Sequence, residues 1–119
     1  MDISKKIAII GSRTFNDYEL LVSTMESYKD YISVIVSGGA KGADSLGERW
    51  AKENNIETDI YYPDWDKYGK KAGFLRNKQI VENSDGVIAF WDGESKGTQH
   101  SFRLCDELEI PIKIVKFSV

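Results

Sequence analysis

Gly86-Val87-Ile88-Ala89-Phe90-Trp91, running on into Asp92-Gly93-Glu94-Ser95-Lys96-Gly97-Thr98, is the stretch whose reading decides the fold. The first part is an unbroken apolar run, the pattern of a parallel strand covered on both faces rather than one with a wet side. The second part is a glycine-bearing loop that opens a helical stretch from Thr98 to Leu108, with Phe102, Cys105 and Leu108 spaced to face inward. Strand, loop and helix in that order form one half of a crossover unit.

The same unit recurs along the chain in both directions. Ile7-Ala8-Ile9-Ile10 is an apolar run closed by Gly11, and a helical pattern from Asp17 follows through Leu20, Leu21, Thr24, Met25 and Tyr28. Val34-Ile35-Val36 ends at Ser37-Gly38-Gly39, and Leu46, Trp50 and Ala51 mark a helix from Ala43 to Asn54. Ile56 to Tyr62 is a third strand, stopped by Pro63. Asp64 to Lys71 reads as the longest irregular piece, before helical spacing resumes from Ala72 to Asn83. Pro111 breaks the last helix, and Ile112 to Phe117 supplies a fifth strand. Regular β-α alternation with short connections implies parallel strands and right-handed crossovers. The expected fold is α/β: a single Rossmann-like three-layer domain over residues 1–119. Its five-stranded parallel sheet has order 3-2-1-4-5, with helices on both faces. The switch point then falls between strands 1 and 4, beside the loops at Gly11 and Asp92.

Bulk properties narrow the function. A chain of 119 residues supports one core. A net charge of −3 gives no general attraction to nucleic acid or an anionic membrane, so the composition argues against a nucleic-acid partner and against a membrane. The lone Cys105 has no internal disulfide partner, no basic–apolar signal segment opens the chain, and no apolar stretch nears spanning length. A cytoplasmic location is expected.

Chemistry-bearing residues cluster where strands end. Gly11-Ser12-Arg13, Ser37-Gly38-Gly39-Ala40-Lys41-Gly42, Ala72-Gly73-Phe74-Leu75-Arg76-Asn77 and Asp92 to Thr98 would meet at one edge of the sheet. Bare backbone N–H groups and helix N-termini there favour an anion. The glycine loop matches neither a P-loop, which needs Ser or Thr after its lysine, nor a dinucleotide fingerprint. A tight turn needing positive φ explains its glycines equally well. Ser95 and Thr98 either cap the helix or bond a phosphate. Arg76, early in a helix, opposes the dipole, which a guanidinium aimed at phosphate or carboxylate would explain. Trp65 and Tyr68 either stack on a base or ribose, or pin their loop to the body. Asp44 either serves a ribose hydroxyl or acid–base chemistry, or simply complements its helix. His100 lacks a nucleophile at telling spacing, and Cys105 sits on an apolar stripe as a core residue. Metal-ligand spacing is absent, so neither metal nor cofactor is expected.

Taken together, Gly-Ser-Arg, Ser-Gly-Gly-Ala-x-Gly-Ala-Asp, Ala-Gly-x-x-Arg-Asn and Phe-Trp-Asp-Gly-x-Ser-x-Gly-Thr resemble the small YspA-like, YpsA-related branch of the SLOG superfamily, from about Ile7 to Leu108. That superfamily includes the LOG phosphoribohydrolases and the DprA/Smf DNA-processing proteins. The resemblance implies a Rossmann-like domain for a nucleotide-derived ligand, and a homo-oligomer. In the phosphoribohydrolases an arginine segment corresponds to Arg76, Asn77 and Ile80, and a glycine motif to Gly93, Gly97 and Thr98. The catalytic glutamate falls on Ser101, and Trp91 replaces a proline, which puts that activity in doubt.

The leading expectation is therefore a sensor or scavenger of a nucleotide-derived small molecule, ADP-ribose or a nucleotide signal. Its ligand-binding residues would be Gly11, Ser12, Arg13, Ser37, Gly38, Gly39, Lys41, Gly42, Asp44, Trp65, Arg76, Asn77, Asp92, Gly93, Ser95, Gly97 and Thr98. The first alternative is an N-glycosidic hydrolase or ribosyltransferase acting on nucleoside monophosphates, with Arg76, Asp44 and Asp92 as its catalytic residues. The second is a DNA-processing-type nucleic-acid-binding module. Against it, Asp44, Asp64, Asp66, Asp92 and Glu94 are interleaved with the loop cations.

Overall fold

A computed structural model describes residues 4–118. Strand β1 (Lys5–Gly11) is followed by α1 (Tyr18–Glu26), a 3-10 turn (Lys29–Tyr31), β2 (Ile32–Ser37), α2 (Ala43–Glu53) and β3 (Glu57–Ile60). Then come α3 (Trp65–Tyr68), a second 3-10 turn (Gly69–Lys71), α4 (Ala72–Glu82), β4 (Gly86–Trp91), α5 (Lys96–Leu108) and β5 (Ile112–Lys116). The five strands form one sheet in the order β3-β2-β1-β4-β5, and every pairing is parallel. The α/β Rossmann-like architecture and the strand order both stand as read from the sequence.

Side chains alternate across a strand, so each central strand feeds two cores. On β1, Ile9 packs on one face with Leu21, Met25, Ile35, Trp50 and Phe90, beneath α1 and α2. Ala8 and Ile10 point the other way, to Val36, Ile80, Val81, Val87, Leu104 and Cys105 beneath α4 and α5. Phe15 closes the first core by stacking on Phe90 at 4.6 Å between ring centroids. These layers fix the ends of β1, β2 and β4 relative to one another, and the site is built on those ends.

Two local readings change. The segment read as irregular is instead a helical turn and a 3-10 turn, because the Asp64 carboxylate accepts a hydrogen bond from the Lys67 backbone N–H at 3.1 Å. One turn is too short to show apolar periodicity, so only the capping residue could have betrayed it. Leu108, expected to face inward, is 39% exposed, and Leu104 takes the inward position. Steps of three residues advance 300° rather than a full turn, so a stripe drawn through Phe102, Cys105 and Leu108 drifts off the buried face. Among the described residues, no helix is long and apolar enough to cross a membrane.

Candidate functional site

The loops that leave the C-terminal ends of the strands are laced together. Ser12 donates its backbone N–H to the Phe90 carbonyl at 2.9 Å, and Asp92 donates its own to Ser12 Oγ at 3.0 Å. These two bonds tie the loops after β1 and β4 together. Gly42 draws in the start of α2: its φ is +80°, and a Cβ there would lie 2.6 Å from the Arg13 carbonyl oxygen. No other residue type fits that approach without displacing backbone.

The glycine loop after β2 is shaped by a buried carboxylate. Asp44, 5% exposed, accepts hydrogen bonds at Oδ2 from the backbone N–H of Gly38 (3.1 Å) and of Ala40 (3.2 Å). Arg76 of α4 reaches across and donates from Nη1 to the Gly38 carbonyl at 2.5 Å, and from Nε to Asn77 Oδ1 at 3.1 Å. A Cβ on Gly38 would sit 2.8 Å from both Arg76 Nη1 and Asp44 Oδ2, so only glycine lets the three groups meet. Burial pushes the Asp44 carboxyl up to about 6, although the Ala40 N–H, the Arg76 charge and the Gly38 N–H all pull it back. Burial also lowers the Arg76 pKa. Asp44 opposes that shift, and the neighbouring Arg13 charge adds to it by repulsion.

Between these loops and the start of α5 lies a cavity of about 100 Å³. Gly11, Arg13 and Asp44 line one side, and Arg76 and Asn77 another. The third is Ser95, Gly97 and Thr98. Ser95 caps α5 by accepting from the Thr98 N–H at 3.4 Å, and its Oγ lies 3.0 Å from Thr98 Oγ1. Asn77 Nδ2 spans to the Gly97 carbonyl at 3.4 Å and to His100 Nδ1 at 3.3 Å, tying α4 to α5. A second cavity of about 300 Å³ shares Arg13 and Arg76 with the first and adds Gly39, Lys41 and Trp65. Trp65 is 53% exposed there, with Tyr62 (67%), Tyr68 (44%) and Phe74 (55%) on the same segment.

Some candidates stand apart from both cavities. Ser37 is fully buried and donates from Oγ to Glu48 Oε2 at 2.6 Å, and Ser12 is spent on the loop tie described above. Asp92 uses Oδ1 to accept from the N–H groups of Glu94 and Ser95, both at 2.8 Å, and these bonds hold its carboxyl below the usual range. Its candidacy as a catalytic group finds no support in this placement. Gly93 faces the Lys116 side chain. Conversely, Ile10, Ala40, Ile80 and Ser101 line the smaller cavity without having been singled out as binding residues. Only the resemblance had pointed at Ser101, and then as a missing glutamate. Among the described residues, Asp44 is the one carboxylate in that lining.

Comparison with known proteins places these features in context. The family described as "YspA, cpYpsA-related SLOG family" matches residues 5–68. Gene 61 protein of Mycobacterium phage D29 is 35% identical over 118 residues, covering 91% of this chain and 94% of that protein. Among solved structures, DNA processing protein A from Helicobacter pylori superposes with a TM-score of 0.73 at 22% identity. The match covers 96% of this chain and 66% of that one, so the chain spans just under two thirds of that protein. That structure is described for its single-stranded DNA binding mode.

Two expectations are corrected accordingly. A free nucleotide-derived guest, ADP-ribose-like or a nucleotide signal, does not stand as the leading reading, and neither does the argument against a nucleic-acid partner. The similar solved structure is that of a single-stranded DNA-binding protein.

Proposed function

The chain belongs to the YspA, cpYpsA-related SLOG family, and on that footing we propose that it binds single-stranded DNA along the C-terminal edge of its sheet. The observation that carries this reading is a pair of exposed rings at a basic rim: Trp65 lines the larger cavity with Arg13, Lys41 and Arg76, and Tyr62 lies against Gly39 of the same lining. Rings left in water cost solvation that a folded chain normally avoids, and unpaired bases are flat partners able to cover them. Stacking tolerates any base, while cations spaced along the rim follow the phosphates. A duplex hides its base faces, so this surface suits a single strand. The Helicobacter protein's single-stranded DNA binding on the same fold supports the reading.

Fluorescence anisotropy with a labelled oligonucleotide tests it, in single-stranded and duplex form, across a salt series. The expected result is preferential single-strand binding, with quenching of tryptophan emission. About three phosphate contacts should give a log–log salt slope near −2. Absence of binding at low salt, or binding indifferent to salt, would overturn the proposal.

A further inference from the structure

We propose that the smaller cavity receives the terminal phosphate of the DNA strand, so that the protein prefers strand ends carrying a phosphomonoester over hydroxyl ends. This rests on the single-strand reading above. Size is the first argument. At about 100 Å³ this is the tighter of two adjoining spaces, on the scale of a phosphate group, while the space beside it is about 300 Å³. A phosphate within a chain carries a sugar on two sides, whereas a terminal one carries a single sugar. That sugar can leave toward the larger cavity, which shares Arg13 and Arg76 with the smaller one and ends at Trp65.

Charge is the second argument. Two guanidinium groups line the cavity, and the repulsion of Arg13 is felt at Arg76, so the pair lacks a full complement of negative charge. Asp44 offsets part of it, but its Oδ2 is committed to the Gly38 and Ala40 N–H groups. A phosphomonoester carries about −1.5 to −2 at neutral pH against −1 for a diester, which suits two arginines better. Hydrogen-bond donors supply the third argument. Ser95 and Thr98 share one hydroxyl–hydroxyl contact at 3.0 Å, which uses one of their two hydrogens and leaves the other to donate into the cavity.

Competition anisotropy with three oligonucleotides of one sequence decides the matter: 5′-phosphorylated, 3′-phosphorylated, and hydroxyl at both ends. One phosphorylated form should bind about tenfold tighter or more than the hydroxyl form, and the arm that wins identifies the end. Gly97→Asp places a carboxylate at the cavity where a Cβ meets nothing within 4 Å. An early helical carboxylate also suits the helix dipole, so the variant should fold. It should bring the ratio between phosphorylated and hydroxyl ends down to about one, and Arg13→Ala should reduce it. Equal binding of all three oligonucleotides by the unaltered protein overturns end recognition while leaving single-strand binding intact. Binding of none overturns both. A preference that survives Gly97→Asp removes this cavity as its seat.

Discussion

The two ends of the same sheet hold cavities of opposite character, and the larger is the less equipped. At the N-terminal ends of β1, β4 and β5 a space of about 440 Å³ is walled mainly by Ile7, Val87, Ile88 and Ile112. Its charged groups are Lys5, Asp85 and Lys113, and Asp85 already accepts from the Lys6 N–H at 2.9 Å. At the C-terminal ends the cavity is about 100 Å³ but brings together two arginines, an asparagine and three hydroxyl groups. Backbone polarity explains the contrast. Parallel crossovers aim helix N-termini, with their spare N–H groups, at one end and carbonyl-rich C-termini at the other. Volume therefore runs opposite to the convergence of anion-favouring donors in this sheet.

The difference can be broken or sharpened by experiment. The largest expected effect concerns Asp44, among the described residues the only carboxylate lining the smaller cavity. Its pKa is raised from 3.8 to about 6, so the folded state prefers the protonated form. Stability should be highest below about pH 4 as far as this group is concerned, and fall as pH climbs through about 6, by on the order of 3 kcal/mol. Asp44→Asn keeps an acceptor for the Gly38 and Ala40 N–H groups and should flatten that stretch of a urea-denaturation pH profile. An unchanged profile would show the carboxylate to be better solvated than its burial implies. Next, Arg76→Ala should weaken single-strand binding by about thirtyfold, the scale of one charge-assisted contact, and should lower the salt slope by about 0.7. Trp65→Ala should cost about tenfold through lost stacking, with the salt slope unchanged. At the other end of the sheet, Lys5→Ala and Lys113→Ala should each leave affinity within about twofold and stability within about 0.5 kcal/mol. A large loss there would invert the comparison.

Much of this was legible in the chain. Gly86 to Trp91 was bounded correctly as a strand, because burial on both faces leaves an apolar run with no polar interruption. Strand order followed from the alternation of elements and the geometry of crossovers, and Arg13, Arg76, Asn77, Gly97 and Thr98 do meet around one cavity. What stayed hidden depends on direction rather than identity. A sequence counts Asp64 and Asp92 as surface charges, yet their oxygens serve backbone N–H groups within three residues of themselves. Ser37 looked like part of a phosphate loop and instead bonds Glu48 from beneath it. The Asn77–His100 link and the place of Ser101 in the cavity wall are products of helix packing, which no local pattern encodes.

The grip of Asp44 on Gly38 and Ala40 has a kinetic consequence. Because an internal carboxylate already holds this turn in shape, an incoming strand does not have to order it before docking. Capture should then proceed in a single phase, linear in concentration, at a speed set by diffusion and ionic attraction. Variants on this rim should differ chiefly in how long the strand stays.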